Sequence, residues 1–99
     1  MTIAYERSGG FAGRQLRYVV NSDELSEADR NDLEQLVNAA DFFDLPEHIK
    51  APPGAADDFQ FKIALEDGGR EHTVEVDQTV TPETLRPLLR WLTARANPA

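Results

Sequence analysis

The stretch Phe59-Gln60-Phe61-Lys62-Ile63-Ala64-Leu65-Glu66 alternates its large apolar residues with smaller or polar ones, and Asp67-Gly68-Gly69 follows at once. Successive side chains of a strand point to opposite faces, so this run has one face to bury and one to leave in water. Asp-Gly-Gly supplies the backbone freedom of a tight turn. His72, Val74 and Val76 then return on one face, with Glu71, Thr73, Glu75 and Asp77 on the other. A half-apolar antiparallel hairpin is not stable alone. The rest of the chain must therefore cover one side of it.

A second hairpin stands at the N-terminus. Over residues 2–7, Ile3 and Tyr5 point one way and Thr2, Ala4 and Glu6 the other; Leu16, Tyr18 and Val20 then alternate with Gln15, Arg17 and Val19. Between them lies Ser8-Gly9-Gly10-Phe11-Ala12-Gly13. Its glycines allow positive φ and a close approach to another surface. A loop that only turns has no need of a large aromatic, so Phe11 reads either as a side chain held out for binding or as one folded back on its own core.

Each hairpin is followed by a helix signal. Ser26-Glu27-Ala28-Asp29 resembles a capping box, and Leu33, Leu36, Val37 and Ala40 recur at helical spacing, which predicts a helix from about Glu27 to about Asp41. Thr81-Pro82-Glu83 starts a second helix with the stripe Leu85, Leu88, Leu89 and Leu92. Pro87 removes a hydrogen bond there, so either the first turn is irregular or the regular helix begins nearer Pro87. Trp91 flanks the stripe at the core edge, and the tail Ala94–Ala99 is expected to fray. The order is thus ββαββα. The simplest burial of every apolar face is an α+β fold, one four-stranded antiparallel sheet with two helices packed on one face. Residues 1–99 are expected to form a single domain.

Counting chain reversals, with each helix running back along the strands, gathers three loops at one end: Ser8–Gly13, the proline-rich Asp44–Asp58, and Asp77–Thr81. That end would hold Phe11 beside Asp44, Asp57, Asp58 and Asp77. An apolar prong among carboxylates outlines a binding surface, although aspartate is also a common loop residue.

Composition narrows the partners. The formal charge is −8, from 18 acidic and 10 basic residues. This argues against nucleic acid or an anionic membrane as partner. It suits a basic protein surface or a metal-centred site, or serves solubility alone. There is no cysteine, hence no disulfide framework and no thiolate chemistry. No apolar run has the length of a membrane span, and a cytoplasmic location is expected. His48 and His72 have no ligand spacing, no phosphate-binding glycine loop occurs, and no nucleophile has a base nearby. No enzyme and no cofactor is expected.

The whole pattern resembles the emfourin family, small bacterial inhibitors of thermolysin-type (M4) zinc metallopeptidases, in particular the protealysin-like enzymes. The resemblance rests on the first strand running into Ser8–Gly13, the helix ending in Asp41-Phe42-Phe43-Asp44-Leu45-Pro46, the opening Asp58-Phe59-Gln60-Phe61, His72-Thr73-Val74, and Leu85…Leu88-Leu89. It implies an inhibitor, monomeric when free, whose loops enter the protease cleft. Gly9, Gly10, Phe11, Ala12, Asp57 and Asp58 are then the expected contact residues. An aspartate would approach the target's zinc: Asp57 or Asp58, with Asp44 and Asp77 as further candidates. A thermolysin-type zinc has three protein ligands and an exchangeable fourth position, which a carboxylate can take. The alternative from another class is an acidic interaction or regulatory module for a basic protein, even a nucleic-acid mimic. A mimic needs carboxylates spread over an extended face; an inhibitor needs a few at one tip.

Overall fold

The structure, a computed structural model, describes residues 1–9, 15–52 and 59–98. Its frame is the two hairpins expected from the alternation. Strand β1 (Thr2–Gly9) pairs antiparallel with β2 (Leu16–Asn21), and β4 (Phe59–Asp67) with β5 (Arg70–Asp77). The two hairpins join through β1 and β4, antiparallel from Thr2 opposite Glu66 to Gly9 opposite Phe59. Gly68 and Gly69 turn the second hairpin at φ 61° and 87°, a region that side chains with a Cβ avoid.

The sheet has six strands rather than four. Two-residue strands extend both edges: β3 (His48–Ile49) runs parallel to β5, and β6 (Asn97–Pro98) antiparallel to β2, in the order β3-β5-β4-β1-β2-β6. The expected fraying tail is therefore paired at Asn97 and Pro98. His48, expected in a loop, sits on an edge strand. Both additions cover outer backbone groups that would otherwise be unpaired, and Pro98 is tolerated because an edge strand needs no further donor.

Helix α1 (Glu27–Ala39) starts as the capping signal predicts, with Ser26 Oγ accepting from the Asp29 N–H at 3.1 Å. It ends two residues before the expected Asp41, which takes φ 48° and breaks the helix. Aspartate tolerates this left-handed conformation better than most side chains. Helix α2 (Arg86–Arg95) begins at Arg86 with Pro87 in its first turn, the second of the two expected solutions. At that position the missing N–H would have had no helical partner.

Ile3, Tyr5, Phe61, Ile63, Leu65, Val74 and Val76 share one face of the sheet and form one core with Leu33, Val37 and Ala40 of α1 and Leu88, Leu89 and Leu92 of α2. Both helices thus cover the same face. They run across the strands rather than along them. Helix α1 follows β2 and delivers the chain to Phe42 and Phe43, which pack on His72 of β5. The long strands β2 to β5 span about 14 Å, and a 13-residue helix is about 20 Å long, enough to cross them. Helix α2 crosses the other way, from the end of β5 to β6 beside β2. Arg95 ties the two helices through Asp29 at 3.4 Å and lies 3.6 Å over the Trp91 ring.

Tyr5 is buried beneath α2, and its hydroxyl meets Thr93 Oγ1 at 2.5 Å. Burial pushes the phenol above its ordinary value of 10.0; the Thr93 hydrogen bond and the Arg7 charge oppose this more weakly. The folded state therefore holds the Tyr5 proton at a pH where the unfolded chain releases it. That stability contribution is complete below pH 10 and is lost as the pH rises toward the raised value. Tyr5→Phe is expected to cost about 0.5–1.5 kcal/mol at neutral pH through the lost hydrogen bond. It is also expected to flatten the fall of stability above pH 10. Urea denaturation of both proteins from pH 7 to 11 measures this.

Candidate functional site

Three chain segments converge on one end of the sheet. Gly9, the last residue of β1, has φ 83° and stands opposite Phe59, the first residue of β4. Asp77, the last residue of β5, stands opposite Gln60. The loop ends expected to gather are thus brought together. Gly10, Phe11, Ala12, Asp57 and Asp58 lie outside the described residues, so the structure places Gly9 of the expected contact residues, and Asp44 and Asp77 of the further carboxylate candidates.

Asp44 is at the opposite end. It shares a hollow with Met1, Asp67 and Arg70, beside the Gly68–Gly69 turn. The expectation that put it with Phe11 assumed that α1 returns along the strands; α1 crosses them instead. The chain reaches the loop end only through β3, which runs parallel to β5 along its edge.

Asp77 holds that strap in place. Its Oδ2 accepts the Ala51 N–H at 2.7 Å, while the Glu75 N–H donates to the Glu47 carbonyl at 2.8 Å. Asp77 Oδ1 is buried without a hydrogen-bond partner among the described residues. A carboxylate engaged by the backbone of its own strap is a structural tether. On the other side, Gln78 Oε1 accepts the Phe59 N–H at 3.3 Å, and Thr81 donates from Oγ1 to the Asp77 carbonyl at 3.1 Å. The anchors of the loop end are therefore cross-linked to one another.

The charges are distributed unevenly. Across the open sheet face a single row reads Arg17, Glu6, Lys62, Glu75, His48, one residue per strand with alternating acid and base. Arg17 and Glu6 approach to 3.8 Å, and His48 Nδ1 lies 2.9 Å from Glu75 Oε2. Exposed pairs of this kind contribute about 0.2–1 kcal/mol each, and their alternation favours this register over a slipped one. This face is not the extended carboxylate surface of a nucleic-acid mimic. Acid gathers instead around α1, where Asp23, Glu24, Glu27, Asp29, Asp32, Glu34, Asp41 and Asp44 stand against Arg30.

The sequence reading missed Arg7. It belongs to the inward face of β1, yet near the loop end its guanidinium lies 4.0 Å from the Phe59 ring centroid. Its signal was an arginine in the Ile3, Tyr5, Arg7 series, where alternation calls for an apolar residue. Among the described residues no group of His, Asp and Glu can hold a metal ion, and no helix is long and apolar enough to cross a membrane.

Asp77→Ala is expected to release the strap. The half-buried Ala51 N–H loses its acceptor, at a cost of about 1 kcal/mol. Amide exchange at Ala51 should rise well above any change at Val74 in the core strand, which hydrogen-exchange NMR measures.

No curated protein and no solved structure matches the chain. The family pattern of Emfourin matches residues 5–93, from the first strand to the end of the second helix's leucine stripe. The chain belongs to the Emfourin family.

Proposed function

We propose that the protein is a non-enzymatic inhibitor of thermolysin-like, protealysin-type zinc metallopeptidases, which enters the target's cleft with the loops at the Gly9, Phe59 and Asp77 end of the sheet. Family membership across residues 5–93 is the observation that carries this reading. The convergence of the loop anchors supports it, because an inhibitor needs its contact loops on one rigid edge. The anchors are strand ends tied by register and by the Asp77–Ala51 and Gln78–Phe59 hydrogen bonds, so little ordering is left to offset binding there. On this reading Phe11 fills an apolar subsite, and Asp57 or Asp58 approaches the zinc.

Titration of a thermolysin-like peptidase with the purified chain tests the proposal. The expected result is a stoichiometric loss of activity with the chain left intact; full activity at excess chain would sink the idea. Burying a phenylalanine stabilises by about 1.5–3 kcal/mol. Phe11→Ala is therefore expected to raise the inhibition constant about tenfold to a hundredfold, with the circular dichroism spectrum unchanged. Asp57→Asn or Asp58→Asn should weaken inhibition according to which one approaches the metal, since a neutral amide is the poorer ligand. Asp67→Asn, at the opposite end, should have no effect. Asp32→Asn with Glu34→Gln separates the alternative class. An acidic module reading a basic partner through α1 would lose binding with them, whereas the inhibitor keeps it.

A further inference from the structure

Resting on the inhibitor reading, we propose that the cleft between α2 and the loop-bearing end of the sheet is a second contact site for the target. It would receive a segment of the peptidase that carries a carboxylate beside an apolar side chain. The cleft has a volume of about 700 Å³. Phe59, Phe61 and Leu89 line it with apolar surface, and Arg7, Arg86 and Arg90 bring three guanidinium groups to it. Arg86, Arg90 and Ala94 are exposed, so the cleft is open along the helix side and admits a chain segment.

Charge selects the occupant. The chain has 10 basic residues against 18 acidic ones, yet three of the 10 meet in this cleft. The ion pairs among the described residues lie elsewhere, at Arg17–Glu6, His48–Glu75 and Arg95–Asp29. Arg7 is fixed over the Phe59 ring, and its Nε is buried with no hydrogen-bond partner among the described residues. Arg86 and Arg90 are one helical turn apart on α2 and point the same way. Among the described residues no carboxylate lines the cleft beside these three arginines. A carboxylate there gains bidentate, charge-assisted hydrogen bonds that a neutral group does not.

Position selects the source. Phe59 is both a cleft residue and the register partner of Gly9, so the cleft opens directly beside the loop anchors. A peptidase that takes the loops into its active site brings its cleft rim against this surface. Positive charge on the rim of an interface acts chiefly on the rate of encounter and on its salt dependence, whereas a filled apolar floor acts on dissociation.

Inhibition constants and association rates at low and high salt test the proposal on the full chain. Two variants probe the cleft at exposed positions, the double variant Arg86→Glu with Arg90→Glu, and Ala94→Trp, which narrows the cleft without changing charge. Arg17→Glu on the open sheet face is the control, and circular dichroism checks folding. With wild-type chain inhibiting, the double variant is expected to raise the inhibition constant at least tenfold, with slower association and a flatter salt dependence. Ala94→Trp is expected to raise it through faster dissociation, and Arg17→Glu to stay within about twofold. If wild-type chain inhibits and both cleft variants stay within twofold, the cleft contact is overturned and the inhibitor function stands. If only the charge reversal matters, the arginines steer from a distance and docking in the cleft is wrong. If only Ala94→Trp matters, the occupant carries no carboxylate and the proposal fails in that form. If wild-type chain does not inhibit, the functional reading fails first and the cleft proposal falls with it.

Discussion

The antiparallel pairing of β1 with β4 holds the molecule together. Each hairpin alone has one apolar face and a local turn. Joining them through eight residue pairs, from Thr2–Glu66 to Gly9–Phe59, makes one sheet with a continuous apolar face. Ile3 then sits beside Leu65 and Tyr5 beside Ile63, and the two helices have a single surface to cover. The same pairing sets Gly9 against Phe59, so the register that builds the core also brings the loop anchors together. A one-residue slip would turn Ile3 and Tyr5 to the open face and break the alternating row from Arg17 to His48.

The helices finish the core by crossing the strands. Because α1 crosses, the chain emerges at the end of the sheet away from the loops, and Phe42 and Phe43 plug the side of β5 around His72. His72 donates from Nε2 to the Leu45 carbonyl at 2.6 Å, which fixes the turn leading into β3. The strap from Leu45 to Pro52 then carries the chain along the edge of β5 to the loop end, where Asp77 secures it at Ala51. One segment thus protects the sheet edge and positions the anchor of the proline-rich loop. Rigid anchors suit a blocking protein, which gains affinity by presenting contact residues that need little ordering.

The loop end also combines two kinds of surface. On one side stand the strand ends that carry the glycine-rich and proline-rich segments. On the other lies the cleft of Phe59, Phe61 and Leu89 with its three arginines. Among the described residues no carboxylate lines that cleft, while eight acidic residues from Asp23 to Asp44 stand on and beside α1. A net charge of −8 therefore conceals a local positive site, a distinction that the composition cannot express.

The hairpins, the helix stripes, the Ser26 cap and the irregular entry to α2 at Pro87 were legible in the sequence. Each depends on residues a few positions apart: alternation at period two, leucines at helical spacing, a hydroxyl before the first turn, a proline near the start. The convergence of Gly9, Phe59 and Asp77 matches the expectation, but not for the expected reason: α1 does not run back along the strands, and it is β3, parallel to β5, that carries the chain to that end. The direction of the helices was not legible. A leucine stripe says which side of a helix is buried but not at what angle it lies on the sheet, so Asp44 was assigned to the wrong end. The edge strands β3 and β6 were not legible either, since two residues have no periodicity and their pairing depends on where a distant edge happens to lie. The tether role of Asp77 and the aromatic perch of Arg7 were hidden for the same reason. Ala51 and Phe59 are 26 and 52 residues away in the chain, and only packing brings them within reach. Local chemistry thus determined the elements and the family pattern, and the tertiary structure decided which charges and loop anchors share one end of the sheet.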